Sequence, residues 1–173
     1  SVILFEQRLV RVIVTDFKWR EEDIHRVVKI LSKEGGENYG QLGLGRGEWA
    51  RFRLRELRVF TPDGRVLEMD SVQEEGRWRM PELDKGAILE FRVSRGNGPI
   101  GVDQTVFELE RSPLFQRQNE PVVRSRYVVV IPKGAPIRVR TLNLSAPAVT
   151  VETEESTTHT WEFRDLPEFE PEQ

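Results

Sequence analysis

The chain has no cysteine and only two histidines, two tyrosines and two methionines among 173 residues. Without cysteine there is no disulfide, no thiolate nucleophile and no thiolate-bound zinc. His25 and His159 stand far apart and form no H-x-H or H-x-x-x-H pair, so the spacing offers no metal site. No Gly-x-Ser-x-Gly elbow is present, and a Ser-His-Asp triad has no visible scaffold. Long hydrophobic runs are missing too: the apolar run Val128 to Ile131 falls far short of the ~20 residues a spanning helix needs, so no membrane insertion is expected. Nor is there an excess of basic charge. Lys and Arg number 26 against 29 Asp and Glu, a net charge of −3, which excludes the broad basic field of a nucleic-acid binder. The glycines of "GLGRG" at Gly43 to Gly47 precede Arg-rich alternation rather than a helix, so they read as a connection and not a phosphate cradle. No catalytic residue, no metal site and no cofactor is expected in this chain.

What is present is a normal core under a very polar surface: 38% hydrophobic and 32% charged residues exclude wholesale disorder. The length suits one domain that buries roughly two-thirds of its unfolded surface. Composition holds steady to about Leu166 and then turns acidic and Pro-containing in "LPEFEPEQ". The expected organisation is one domain over 1–165 and a linker over 166–173 toward a further domain.

Strand periodicity dominates. In "RLVRVIVT", Val10, Val12 and Val14 share a face. In "DIHRVVKIL", Ile24, Val28 and Ile30 share one parity, and His25, Val27, Lys29 and Leu31 take the other. "ARFRLREL" sets Ala50, Phe52 and Leu54 against Arg51, Arg53 and Arg55, then shifts parity to Leu57 and Val59, which places a bulge near Arg55-Glu56. "FTPDGRVLE" reads as a hairpin, with Pro62 fixing the first corner and Gly64 free to take a positive φ. Further strands are expected over Arg77–Met80, Ala87–Ser94, Thr105–Glu110, Val122–Ile131, Ile137–Leu144, Val149–Thr153 and Thr158–Phe163. Both parities of "YVVVI" are apolar, the pattern of a central strand covered on both faces. Ten prolines and thirteen glycines leave little room for helix. The fold expected is all-β: an antiparallel two-sheet β-sandwich of about ten strands with little or no helix.

Charged side chains alternate with apolar ones, so cross-strand ion pairs are their expected role. Trp78 and Trp161 share parity with Met80 and Phe163 and read as core. Trp19, between Lys18 and Arg20, and Trp49, after the glycine loop, read either as covers for the end of the core or as candidate interface anchors, with Arg51, Arg53 and Arg55 beside them. An Arg-lined face or exposed aromatics would suit a glycan or another component of the cell envelope.

Four segments in order carry a resemblance: "IHRVVKILSKEGGENYGQL", a strand running into a Gly-containing loop; "LRVFTPDGRVLEM"; "MPELDKGAILEFRV"; and the stretch holding Pro121-Val122, Ser125-Arg126-Tyr127 and Ile131-Pro132-Lys133-Gly134. From about Val10 to Trp161 the chain resembles a bacterial domain of unknown function found N-terminal to transglutaminase-like domains. The resemblance implies a β-sandwich in an exported protein, periplasmic or extracellular. It also implies that catalysis belongs to a following papain-like domain supplying Cys, His and Asp. That neighbouring transglutaminase-like domain would be the main partner, with a cell-envelope protein or glycan as the alternative.

Overall fold

The computed structural model of the chain describes residues 1–14, 18–40, 53–68, 73–74, 77–78, 83–100, 120–141, 144 and 146–168; the side chains at 18–19, 73–74, 77–78 and 97–100 lie outside that description. In chain order the described elements are β1 (Val2–Val14), β2 (Lys18–Lys29), α1 (Lys33–Gly40), β3 (Arg53–Phe60), β4 (Val66–Glu68), β5 (Gln73–Glu74), β6 (Arg77–Trp78), β7 (Ile88–Ile100), β8 (Val122–Pro132), β9 (Val149–Glu152) and β10 (Ser156–Leu166).

Eight strands hydrogen-bond side by side in the order β4-β3-β7-β2-β1-β8-β10-β9, and β5 pairs with β6 separately. The protein is nearly all-β. The wide sheet is mixed rather than wholly antiparallel, because β1 and β8 run parallel. Apolar alternation reports which face a residue takes, not which way its strand runs. The long chain between β1 and β8 leaves room for the crossover that a parallel pair requires.

Sequence detail recurs faithfully in several elements. The register of β3 against β7 shifts between Leu54 and Glu56, leaving Arg55 as the extra residue of a bulge. The hairpin from β3 to β4 closes with Gly64 N–H donating to Thr61 O at 2.9 Å, and Gly64 takes a φ of 86°. The strand β8 lies between β1 and β10, the central place its two apolar parities imply.

Two expectations are corrected. The segment expected as a Gly-containing loop is the helix α1. Ser32 caps it, its hydroxyl accepting from Gly35 N–H at 3.1 Å, and Glu34 sits favourably in the first turn. Glycine weakens a helix by about 1 kcal/mol, but here it permits close packing: a Cβ on Gly36 would lie 2.2 Å from Leu83 O. The strand expected over Ile137–Leu144 is absent at 137–141, where the chain is irregular. Its alternation has another cause, since Ile137, Val139 and Leu144 lean on a core cluster without joining the ladder.

One sheet face carries both cores. Ile3, Ile24, Val28, Leu57, Val59, Leu89, Phe91, Val93 and Val122 form the first, closed by Tyr39 of α1 and by Leu83. Val12, Val129, Ile131 and Trp161 form the second, with Tyr127 and Phe163 partly buried beside them.

Candidate interaction surface

Between the two cores the same face carries a belt of buried charge. On β1 the parity of Val10 and Val12 continues back to Arg8 and Glu6. On β2 the parity of Ile24 and Val28 includes Glu22 and Arg26. All four charged residues are at least 94% buried. Glu6 lies directly opposite Arg26, with Oε2 2.7 Å from Nη2, and its other oxygen is 3.9 Å from Arg8 Nε. Arg8 Nη1 donates to Glu22 Oε1 at 3.3 Å, and Arg95 Nε on β7 donates to Glu22 Oε2 at 2.7 Å. A chain of alternating charge, Arg26-Glu6-Arg8-Glu22-Arg95, thus crosses three strands. Arg26 also lies 5.7 Å from the centre of the Phe91 ring. At the margin Tyr39 donates to Glu120 at 2.7 Å, and Ser1 Oγ also donates to that carboxylate. Burial, reinforced by Glu120 and opposed by Arg26, pushes the Tyr39 phenol far above its ordinary range, so it stays protonated at any physiological pH.

The opposite face carries a second ladder, half-exposed. Arg58 and Arg92 flank Glu56, the latter at 3.1 Å, and Arg58 reaches Glu90 at 3.4 Å. Glu90 holds His25 Nε2 at 2.7 Å. The His25 ring meets Phe5 edge-on, centroids 5.4 Å apart, and Arg124 lies 5.5 Å from the Phe5 ring centre. Arg124 Nη2 donates to Glu162 at 2.8 Å, and Arg126 and Arg164 close on the same carboxylate. The hydrogen bond from Arg124, aided by Arg164, holds the Glu162 carboxyl below its usual range. The arginines of this face therefore have acidic neighbours, the arrangement of a structural ladder rather than of an anion-binding plate.

The sequence-derived candidates divide. Arg53 and Arg55 are exposed on β3, and Arg55 Nε donates to Ser94 Oγ at 2.6 Å. Trp19 is in β2, but its side chain lies outside the described residues, as do Trp49 and Arg51 entirely. Trp161 is core, as its parity requires. His159 is half-buried beside it and bonds Thr150 Oγ1 at 3.0 Å. Sequence reasoning overlooked the belt, although the signal was there: four charges at core parity. It also overlooked the apolar edge. On β9 every residue is exposed, with Val149 at 66% and Val151 at 54%. Among the described residues no cluster of three His, Asp or Glu is placed to hold a metal ion.

Comparison with known proteins places this geometry. A crystal structure from Parabacteroides distasonis ATCC 8503, described as a "putative protease", superposes with a TM-score of 0.73 at 14% identity, covering 98% of this chain. This chain spans 36% of that protein's length, and the likeness is one of fold. No curated protein matches. A family model described as a domain of unknown function with a solved structure, DUF3857, matches residues 20–170, most of the sequence. The chain belongs to the DUF3857 family.

Proposed function

We propose that this chain is a non-catalytic interaction domain of a larger exported bacterial protein, one that precedes and supports a transglutaminase-like domain. The observation that carries the reading is how the buried and half-buried titratable groups among the described residues are used. Glu6 and Glu22 are enclosed among arginines, Glu90 and Glu162 are bound into the opposite ladder, and Tyr39 is buried with its proton on. A general acid or base needs access to a substrate proton, and these groups spend their capacity on neighbouring strands. The edge strand β9, by contrast, exposes Val149 and Val151, which suits contact rather than chemistry. A protein of which this fold forms a minor share, described as a "putative protease", supports the idea of an accessory unit. We also read the core face as one layer of a sandwich, since both clusters and the charged belt are buried.

The glycan-platform alternative calls for exposed, coplanar aromatics. Trp161 is 4% exposed and lies at 42° to Tyr127, so this pair does not supply them.

The test is to express this domain, the segment that follows it in the parent protein, and the two joined. Amide hydrolysis and transamidation are then assayed for all three. Activity confined to the following segment and raised by joining supports the reading. Activity in this domain alone, or a parent chain with no papain-like segment, defeats it.

A further inference from the structure

We propose that the free edge of β9 is a strand-addition site for an extended polypeptide segment with alternating apolar residues and basic side chains at its N-terminal end. The proposal deepens the interaction-domain reading by giving the partner a chemistry.

The edge comes first. In the eight-stranded sheet β9 is the last strand, bonded to β10 on one side, with no strand beyond it among the described residues. Exposed edges are usually blunted by lysine, proline or a bulge, because their free N–H and C=O groups recruit other strands. The β9 sequence, Val149-Thr150-Val151-Glu152, contains no lysine or proline, and its pairing with β10 runs without a register shift.

The side chains then define what fits. Val149 pairs with Thr160, which pairs with Val128; Val151 pairs with Thr158, which pairs with Val130. Two uncharged rows, β-branched at all six positions, therefore cross three strands and stop at the two most exposed large apolar residues described. An added strand with apolar residues two apart would continue both rows and take the valines out of water.

For a partner that pairs antiparallel, as β10 already does with β9, charge sets which end is basic. Beyond Val151, Glu152, Glu154 and Glu155 are all exposed. They are displayed by an ordered turn: Thr153 N–H donates to Ser156 O at 2.8 Å, and Thr153 Oγ1 accepts from Ser156 N–H at 3.0 Å. The adjacent cation, Lys133, donates its amide to Glu155 O and lies 3.4 Å from Thr153 O through its ammonium. Among the described residues, three exposed carboxylates beside the one ammonium bonded to this turn make this end acidic. An antiparallel partner meets it with its own N-terminal residues, which should be basic. A second copy paired antiparallel would cover the valines but would set its own uncharged Ala146-Pro147-Ala148 against the glutamates, so the charge favours a basic segment over self-pairing.

The test uses the whole 173-residue chain and two fluorescent peptides, KKTVTVT and EETVTVT, read by anisotropy. The lysine peptide should bind at least about tenfold more tightly than the glutamate peptide, and salt should erode the difference. The combined change Glu152→Lys, Glu154→Lys and Glu155→Lys should invert the preference. Val149→Thr with Val151→Thr should weaken both peptides. All five positions are exposed, and circular dichroism checks that the variants fold. Equal affinity for the two peptides, indifference to the glutamate changes, or no binding at all overturns the proposal. So does a dimer, seen by sedimentation, that the valine changes dissolve and the lysine peptide does not displace. None of these readouts involves a downstream enzyme, so this site and the accessory role can fail separately.

Discussion

Replacing Glu6 by Gln tests the buried belt most directly. The change keeps the shape of the side chain and removes one charge. Glu6 is 2% exposed and lies 2.7 Å from Arg26, with Arg8 at 3.9 Å. Removing one member of a buried ion pair costs about 3–5 kcal/mol, because the remaining charge loses a partner it cannot replace with water. Against a typical domain stability of about 5–15 kcal/mol, that is a large share. For a domain of this size it corresponds to a drop in Tm of about 6–20 °C. The assay is urea unfolding followed by circular dichroism, with Arg26→Met, Glu6→Leu and their combination completing a double-mutant cycle. The combined variant should recover most of the loss, since apolar replacement of a whole buried pair is close to neutral. If Glu6→Gln unfolds within about 1 kcal/mol of the parent at unchanged m-value, the pair is not carrying the charge balance assigned to it.

Three further outcomes are expected. Gly36→Ala should destabilise the protein by about 1–3 kcal/mol despite alanine's better helix propensity, because the new Cβ meets Leu83 O; Gly40→Ala, with nothing within 4 Å, should be neutral or stabilising in the same melts. Ser32→Ala removes the cap on α1 and should cost about 0.5–2 kcal/mol by urea unfolding. Glu162 has a folded pKa held below its unfolded value, so its contribution is present above that unfolded value, about 4.3, and is lost as pH falls through the folded one. Carbon-detected NMR titration should show the Glu162 midpoint rising in Arg124→Ala; an unmoved midpoint would remove Arg124 as the cause.

Much of the sheet was legible because its signals are local. Period-two alternation located the buried faces of β1 and β2 through Val10, Val12, Ile24 and Val28. A three-residue step exposed the bulge at Arg55, and Pro62-Asp63-Gly64 announced its hairpin. The helix was hidden because Gly36, a poor helix former, is required by a close approach to Leu83 far along the chain. The parallel pairing of β1 with β8 was hidden because pattern carries no direction. Of the interface candidates, Arg53 and Arg55 lie exposed on β3, while the apolar edge of β9 was not foreseen. Val149 and Val151 look in sequence like any core pair, and only the strand order shows that nothing among the described residues lies beyond them.

The belt supplies information that apolar alternation lacks. Period two forbids a slip of one residue between β1 and β2, which would turn the core outward, but it tolerates a slip of two. In the observed register Glu6 faces Arg26 and Arg8 faces Ile24. A two-residue slip one way sets Arg8 opposite Arg26, two like charges in a buried face. The opposite slip aligns Arg8 with Glu22 but moves Glu6 opposite Ile24 and parts it from Arg26. Between β2 and β7 the same holds, since Glu22 faces Arg95 only in the observed register. Charges that add little net stability over well-packed apolar residues therefore distinguish one pairing from its neighbours, a use of buried ion pairs attested where register must be unique. Register in turn decides what lies along each row of the sheet. The exposed valines of β9 continue rows that reach through β10 and β8 to Leu9 and Arg11 of β1, so a surface suited to a partner strand depends on pairing being settled across the sheet.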